Sequence, residues 1–192
     1  MKARKAKKAV PSARPERPPL EVRALRASDW PALESLFGAR GACAGCWCMA
    51  WRLERAAWEA GRGEDNRRAF KKLVEREQAL GALALVDGRA VGWCSVGPRA
   101  AFVALETKRS LATDWDERTW SVTCFFVAKD WRKRGLGKRL LDVAVALAKK
   151  HRATRLEGYP ALPPRAGGDL PSAFAWTGLP QVFERCGFER LA

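Results

Sequence analysis

Apolar and polar positions change period several times along this chain, and the changes mark its elements. Leu20 to Leu25 (LEVRAL) alternates as a strand with one buried face does. Ser28-Asp29-Trp30-Pro31 then supplies a cap residue and an early proline, so a helix is predicted through about Phe37. From Glu64 to Leu80 the stripe Ala69, Phe70, Leu73, Val74 and Glu77 or Leu80 recurs at helical spacing with charges elsewhere, the pattern of an amphipathic helix. GALALVDGRAVGWCSVG reads as two strands joined at Asp87-Gly88, because glycine tolerates the positive φ a tight hairpin turn requires, and Gly97-Pro98-Arg99 ends that unit. Trp120 to Ala128 is β-branched, aromatic or small and almost uncharged, which predicts a central strand buried on both faces. The chain turns polar at Lys129-Asp130 and resumes as the helical pattern KRLLDVAVALAKK. Ala153 to Glu157 is the next expected strand, broken by Gly158-Tyr159-Pro160. Residues 161–171 are rich in Pro and Gly and read as a loop, and residues 172–185 as a late helical region. Residues 100–119 carry no decisive period, and no internal repeat is present.

Composition narrows the class. At 192 residues with 47% hydrophobic content, one domain with a single core is expected. No apolar run approaches the roughly 18 residues that span a bilayer, and the basic start lacks an apolar stretch of the kind that directs secretion, so a cytoplasmic chain without a membrane is expected. In that setting the six cysteines are read as thiols. The formal charge is +15, of which residues 1–19 hold seven basic groups against one acid, net +6, leaving +9 for the rest. That tail has almost no apolar bulk and is expected to be disordered and solvated, with a weak polyanion contact such as RNA at low salt.

Chemistry concentrates after the central strand. Arg132, Lys133, Arg134, Gly135, Leu136, Gly137 and Lys138 form a basic loop opening a helix, where glycines let backbone approach an anion and the free N–H groups and helix dipole face it. The spacing meets neither the dinucleotide nor the P-loop signature, so another diphosphate ligand is implied. The run Val127, Arg132, Gly135, Gly137, followed by Leu140-Leu141, resembles the coenzyme A pyrophosphate loop of the GNAT superfamily of N-acetyltransferases. VFERCGFERL, residues 182–191, is similar to that family's late helix and closing Gly-Phe turn. The resemblance covers about residues 20–192 as one domain. It implies an α+β GNAT fold: a mixed, mostly antiparallel twisted sheet, splayed at the coenzyme A strand and flanked by helices. It also implies acetyl-CoA as cosubstrate, pantetheine pairing and thioester polarisation at Phe125, Phe126 and Val127, and an amine of a small molecule or peptide as acceptor. Homodimerisation is left open.

The catalytic groups are less defined. Many members carry tyrosine where this chain has Phe183, which cannot donate a proton, and some use a glutamate near the start of the central strand, where Ser121 falls. Tyr159, the one tyrosine, is the leading substitute acid, with Cys124 and Cys186 behind it; an unassisted thiolate departure is the alternative. Glu157 is the preferred base because one strand end presents both residues, while Glu106, Asp114, Asp116 and Glu117 lie upstream. Cys43, Cys46 and Cys48 are read as packing residues ahead of a redox pair or a metal site, and no metal is assigned. Trp47, Trp51 and Trp58 would share one face of a helix; core packing is the plain reading, and Trp47 and Trp51 are the candidate acceptor lid. Two other functions stay open: a catalytically weak CoA-binding regulatory module, and a nucleic-acid-associated protein acting through its tail.

Overall fold

The structure, a computed structural model, describes residues 19–111, 113–162 and 175–191. The tail and most of the Pro/Gly-rich loop therefore lie outside the described residues. A five-stranded sheet in the order β1-β2-β3-β4-β5 carries the molecule: β1 Leu20–Ala24, β2 Gly81–Val86, β3 Arg89–Pro98, β4 Thr119–Val127 and β5 Arg155–Gly158. The first three pairings are antiparallel and the last, β4 with β5, is parallel. This is the expected mixed, mostly antiparallel sheet flanked by helices. The parallel pairing requires a crossover, which α4, Leu136–Lys150, supplies.

The two faces of the sheet hold separate cores. On one, Val96, Val122 and Phe125 pack against Leu140, Leu141 and Ala144 of α4 and against Phe183. On the other, Leu83, Trp93 and Cys124 pack against Trp30, Leu33 and Phe37 of α1 (Trp30–Phe37) and Phe70 and Val74 of α3 (Glu64–Glu75). α1 begins where expected: Asp29 accepts the Arg26 N–H at 2.8 Å and two bonds from the Arg23 guanidinium at 2.5 and 2.8 Å, and Pro31 lies in the first turn. The Arg23 hydrogen bond is the largest reason the Asp29 carboxyl is held below its ordinary value. Asp87 and Gly88, with φ of 49° and 75°, make the predicted hairpin between β2 and β3.

Three expectations change. The helix expected to reach Leu80 stops at Glu75, because Glu77 turns to φ 56° and the N–H groups of Gln78 and Ala79 close back on the Leu73 carbonyl. The late helical region contracts, within its described part, to a 3-10 turn at Ala175–Thr177 and α5, Pro180–Glu184. The tryptophan spacing does not lie on a helix: residues 40–53 are a succession of turns, and only α2, Arg55–Ala60, is helical there. Gly38, Gly41 and Gly45 take positive φ, and so do Ala42, Ala44, Trp47 and Cys48, which no helix accommodates. No helix among the described residues is long and apolar enough to cross a membrane.

Candidate active site

The sheet is interrupted where β4 leaves β5. Their pairing runs from Thr119↔Arg155 to Val122↔Gly158 and ends there, so Phe125, Phe126 and Val127 lie beyond it. The β3 register places Cys124 opposite Ser95 but Val122 opposite Val96, so Thr123 is an extra residue and β4 bulges at the parting. An aromatic ring holds the strands apart. Phe183 from α5 packs edge-on to Phe125, with centroids 5.8 Å apart, and fits because Gly158 has no side chain: a Cβ there would lie 2.1 Å from Phe183 Cε1. Phe126 points to the opposite face, edge-on to Phe37 at 5.8 Å.

The basic loop follows at the far end of β4. Gly135 takes the left-handed conformation, φ 75° and ψ 5°, and starts α4. Space around the two glycines is open: nothing lies within 4 Å of a Cβ built at Gly135, and at Gly137 only Val182 at 3.6 Å. The backbone N–H groups of Lys133 through Lys138 donate to no acceptor among the described residues. They are the orphan donors of a helix start in a basic setting, which suits a phosphate. The side chains are partly committed elsewhere: Arg132 Nε donates to the Val127 carbonyl at 3.0 Å, the Arg134 guanidinium stacks on Trp131, and Lys138 pairs with Asp142 at 2.9 Å.

At the mouth of the parting the structure brings together residues far apart in the chain. Tyr159 Oη donates to Glu157 Oε2 at 2.8 Å. Arg99 Nη1 donates to Glu157 Oε2 and to Tyr159 Oη, each at 2.7 Å, and Nη2 donates to the Leu111 carbonyl at 3.1 Å. Ser121 Oγ is 3.0 Å from Tyr159 Oη. The phenol's one hydrogen is directed at Glu157, so the serine is the donor in that contact. Arg99 Nε faces Glu106 Oε1 at 3.3 Å, an ion contact without hydrogen-bond geometry, and Trp115 Nε1 donates to the other oxygen of Glu106 at 3.4 Å. Arg155 Nη1 lies 3.5 Å from Glu157 Oε1 and donates to the Asp114 carbonyl. Arg99 is 1% exposed and Glu157 8%, so this pair is held away from water. Burial first, and then the neighbouring Glu157, raise the Tyr159 phenol above its ordinary pKa, although the Ser121 hydrogen bond and the Arg99 charge oppose them. Tyr159 is accordingly a phenol, not a phenolate.

Trp51 covers this cluster. Its ring stacks with Tyr159 at 6.1 Å and packs against Trp176 at 5.6 Å, while Lys108 Nζ sits 4.1 Å from its centroid. Burial draws the Lys108 ammonium below its ordinary pKa. Trp47 has other partners, Trp30 at 6.0 Å, Phe37 at 5.7 Å and the Arg67 guanidinium at 5.9 Å, and shares none of them with Trp51. It lines a cleft of about 440 Å³ with Glu34 and Arg67, away from Tyr159. Cys43, Cys46 and Cys48 are free thiols of increasing burial, and Cys48 Sγ accepts the Trp93 indole N–H at 3.0 Å.

The expected pair Glu157 and Tyr159 thus stands together beside Ser121, with Trp51 above. Arg99 was legible only as the end of a strand unit, although an arginine directly after a strand-ending proline was the available signal. Asp116 and Glu117 do not join the cluster; Asp116 instead caps the start of β4 through Thr119 and the Arg118 N–H.

Comparison with known proteins agrees with this architecture. Residues 47–161 match the model of the acetyltransferase (GNAT) family. Among solved structures, the aminoglycoside N-acetyltransferase AAC(6')-Iy in complex with CoA superposes with a TM-score of 0.55 at 13% identity, covering 93% of each chain. A probable acetyltransferase superposes at 0.54 and 17% identity, covering 90% of this chain and 91% of that one. At these identities the likeness speaks for the fold. No curated protein sequence matches the chain.

Proposed function

This chain belongs to the acetyltransferase (GNAT) family, and from that premise we propose that residues 20–192 form one domain that acetylates an amine of a small molecule or peptide. Acetyl-CoA is the cosubstrate of the family and supplies the acetyl group as an activated thioester. The open amides from Lys133 to Lys138, with Arg132 beside them, receive its pyrophosphate, and the β4 edge at Phe125, Phe126 and Val127 lines its pantetheine arm. Trp51 offers a ring face to the ammonium of the acceptor, as it does to Lys108. Trp47 acts at one remove, as part of the packing that supports the same loop.

The observation that carries the reading is the directed chain Ser121–Tyr159–Glu157, fixed by Arg99 where β4 and β5 separate. The acceptor sheds one proton to solvent and becomes a neutral amine, whose N–H takes the place of the Ser121 donor at Tyr159 Oη. As the amine nitrogen bonds to the thioester carbon, Tyr159 receives its proton while passing its own to Glu157 Oε2. The phenolate never forms, which suits a phenol whose proton is tightly held. The carbon–sulfur bond breaks, and the thiolate, with an ordinary pKa of about 8–9, collects its proton from water. Phe183 is then not a missing acid: it is the wedge that keeps the strands apart.

Thiol release from acetyl-CoA against a panel of amines tests the proposal. Tyr159→Phe and Glu157→Gln are expected to lower kcat by about 10²-fold or more while the CoA-induced rise in Tm persists. Unchanged kcat in both variants would remove the relay, and a Tm indifferent to CoA in the parent and in Gly135→Glu alike would remove the cofactor site.

A further inference from the structure

Arg52 is the most anomalous charge in the described chain. It is 8% exposed, its Nε and Nη2 have no hydrogen-bond partner, and it makes no ion pair with a carboxylate among the described residues. Burial draws its guanidinium below the ordinary pKa, opposed only by the sulfur of Cys48. A buried guanidinium without hydrogen bonds at Nε and Nη2 carries a desolvation cost that Cys48 and the Phe102 ring offset only in part.

Its position follows from the sheet. Trp93, Ser95 and Gly97 alternate onto one face of β3, the face of α1 and α3. Cys48 lies over Trp93, whose indole N–H it accepts at 3.0 Å. Phe102 lies over Gly97, where a Cβ would meet its ring at 3.6 Å. The Arg52 guanidinium interacts with Cys48 and stacks 4.8 Å from the Phe102 centroid, on the face of β3 that carries Ser95. Ser95 Oγ is itself buried without a partner. Arg52 Nε, Arg52 Nη2 and Ser95 Oγ are thus three buried polar atoms without hydrogen bonds on one face of β3, in the patch bounded by Cys48 and Phe102. Gly97 pairs with Ser121, so the patch lies two residues, about 7 Å, along the sheet from the Tyr159 relay.

We infer that this patch binds a carboxylate of the acceptor, so that the amine delivered to Tyr159 belongs to an amino acid or another amino-carboxylate. The Nε and Nη2 edge of a guanidinium is a planar fork that meets the two oxygens of a carboxylate, and Ser95 adds a third hydrogen bond. Phe102 beneath and Trp51 alongside exclude water from the pair, which strengthens it. The inference rests on the acetyl-transfer reading for the identity of the ligand, but not for the existence of the site. It makes Arg52 a specificity residue distinct from the relay.

Matched probes test it on the full chain without coenzyme A. N-acetylglycine has the carboxylate, and N-acetylglycinamide replaces it with a neutral amide of the same size. Binding is followed by tryptophan fluorescence at constant ionic strength. The parent is expected to bind the acid at least about 10-fold more tightly than the amide, as loss of a charge-assisted bidentate contact implies. Arg52→Met abolishes the preference, Arg52→Lys restores part of it, and Ser95→Ala weakens it. Because the lost group has no partner in the free protein, Arg52→Met keeps the parent's Tm or exceeds it. Equal binding of the two probes to the parent, as for a patch that holds only water, overturns the inference, and so does a preference that survives in Arg52→Met. If that variant does not fold, Ser95→Ala decides in the same sense. Failure here leaves acetyl transfer standing, and failure of thiol release leaves the carboxylate site standing.

Discussion

Replacing Arg99 by methionine probes the relay's foundation most directly. The arginine side chain is wholly enclosed; it donates to Glu157 and Tyr159 at 2.7 Å each and to the Leu111 carbonyl at 3.1 Å. Methionine retains much of the stem and removes every one of these donors. Breaking a buried ion pair from one side costs about 3–5 kcal/mol, because the remaining charge stays buried without its partner. Arg155, half-exposed and 3.5 Å from the other Glu157 oxygen, keeps a residual counter-charge in place. The loss is therefore expected near the lower end, about 3 kcal/mol. Glu157→Gln removes the stranded charge, so the double variant should be more stable than the sum of the single effects predicts, by about 1–3 kcal/mol. Urea unfolding near neutral pH, followed by tryptophan fluorescence with an unchanged slope, measures all four corners of the cycle. A loss below about 1 kcal/mol in Arg99→Met, or strict additivity in the double variant, would refute the view that this pair is the charge-balanced base of the site.

Two further outcomes follow. Tyr159 is the only tyrosine, so phenolate ultraviolet absorbance reports it alone. Its raised pKa means that the folded state holds the proton more tightly: that stability is whole below the unfolded phenol's value of about 10 and is lost as pH climbs toward the folded value. The folded chain should still be a phenol at pH about 10, where the urea-unfolded chain is half ionised, and Tyr159→Phe should lose stability less steeply in alkali; early phenolate in the folded chain contradicts this. Gly158→Ala places a Cβ 2.1 Å from Phe183 Cε1 and should cost about 1–3 kcal/mol of unfolding free energy through overpacking; an unchanged stability would show that the wedge yields freely.

What the sequence disclosed was what local chemistry decides. Asp87-Gly88 announces its hairpin because the turn is settled by two residues, and the strand–loop–helix from Trp120 to Lys150 is legible because period and glycine placement agree. Glu157 and Tyr159 stand together because residues two apart at a strand end share a side. Arg99 is not legible in the sequence because its partner is 58 positions away, and no local pattern encodes that distance. The Cys/Trp segment misled for another reason. Trp47, Trp51 and Trp58 have helical spacing, yet Gly41 and Gly45 open a path of left-handed turns that packing against Trp30 and Phe37 holds in place. Arg52 was hidden inside that segment, and only its burial marks it.

The wedge at Phe183 also bears on when the site comes into being. A parallel strand pair left to itself tends to keep pairing, since every further residue satisfies backbone groups on both sides. Here the zipper between β4 and β5 is stopped by a ring that belongs to a later segment of the chain. During synthesis all five strands and α4 precede α5 in the chain, so the ring that walls the gap is the last part supplied. The strands are thus supplied before the ring that parts two of them.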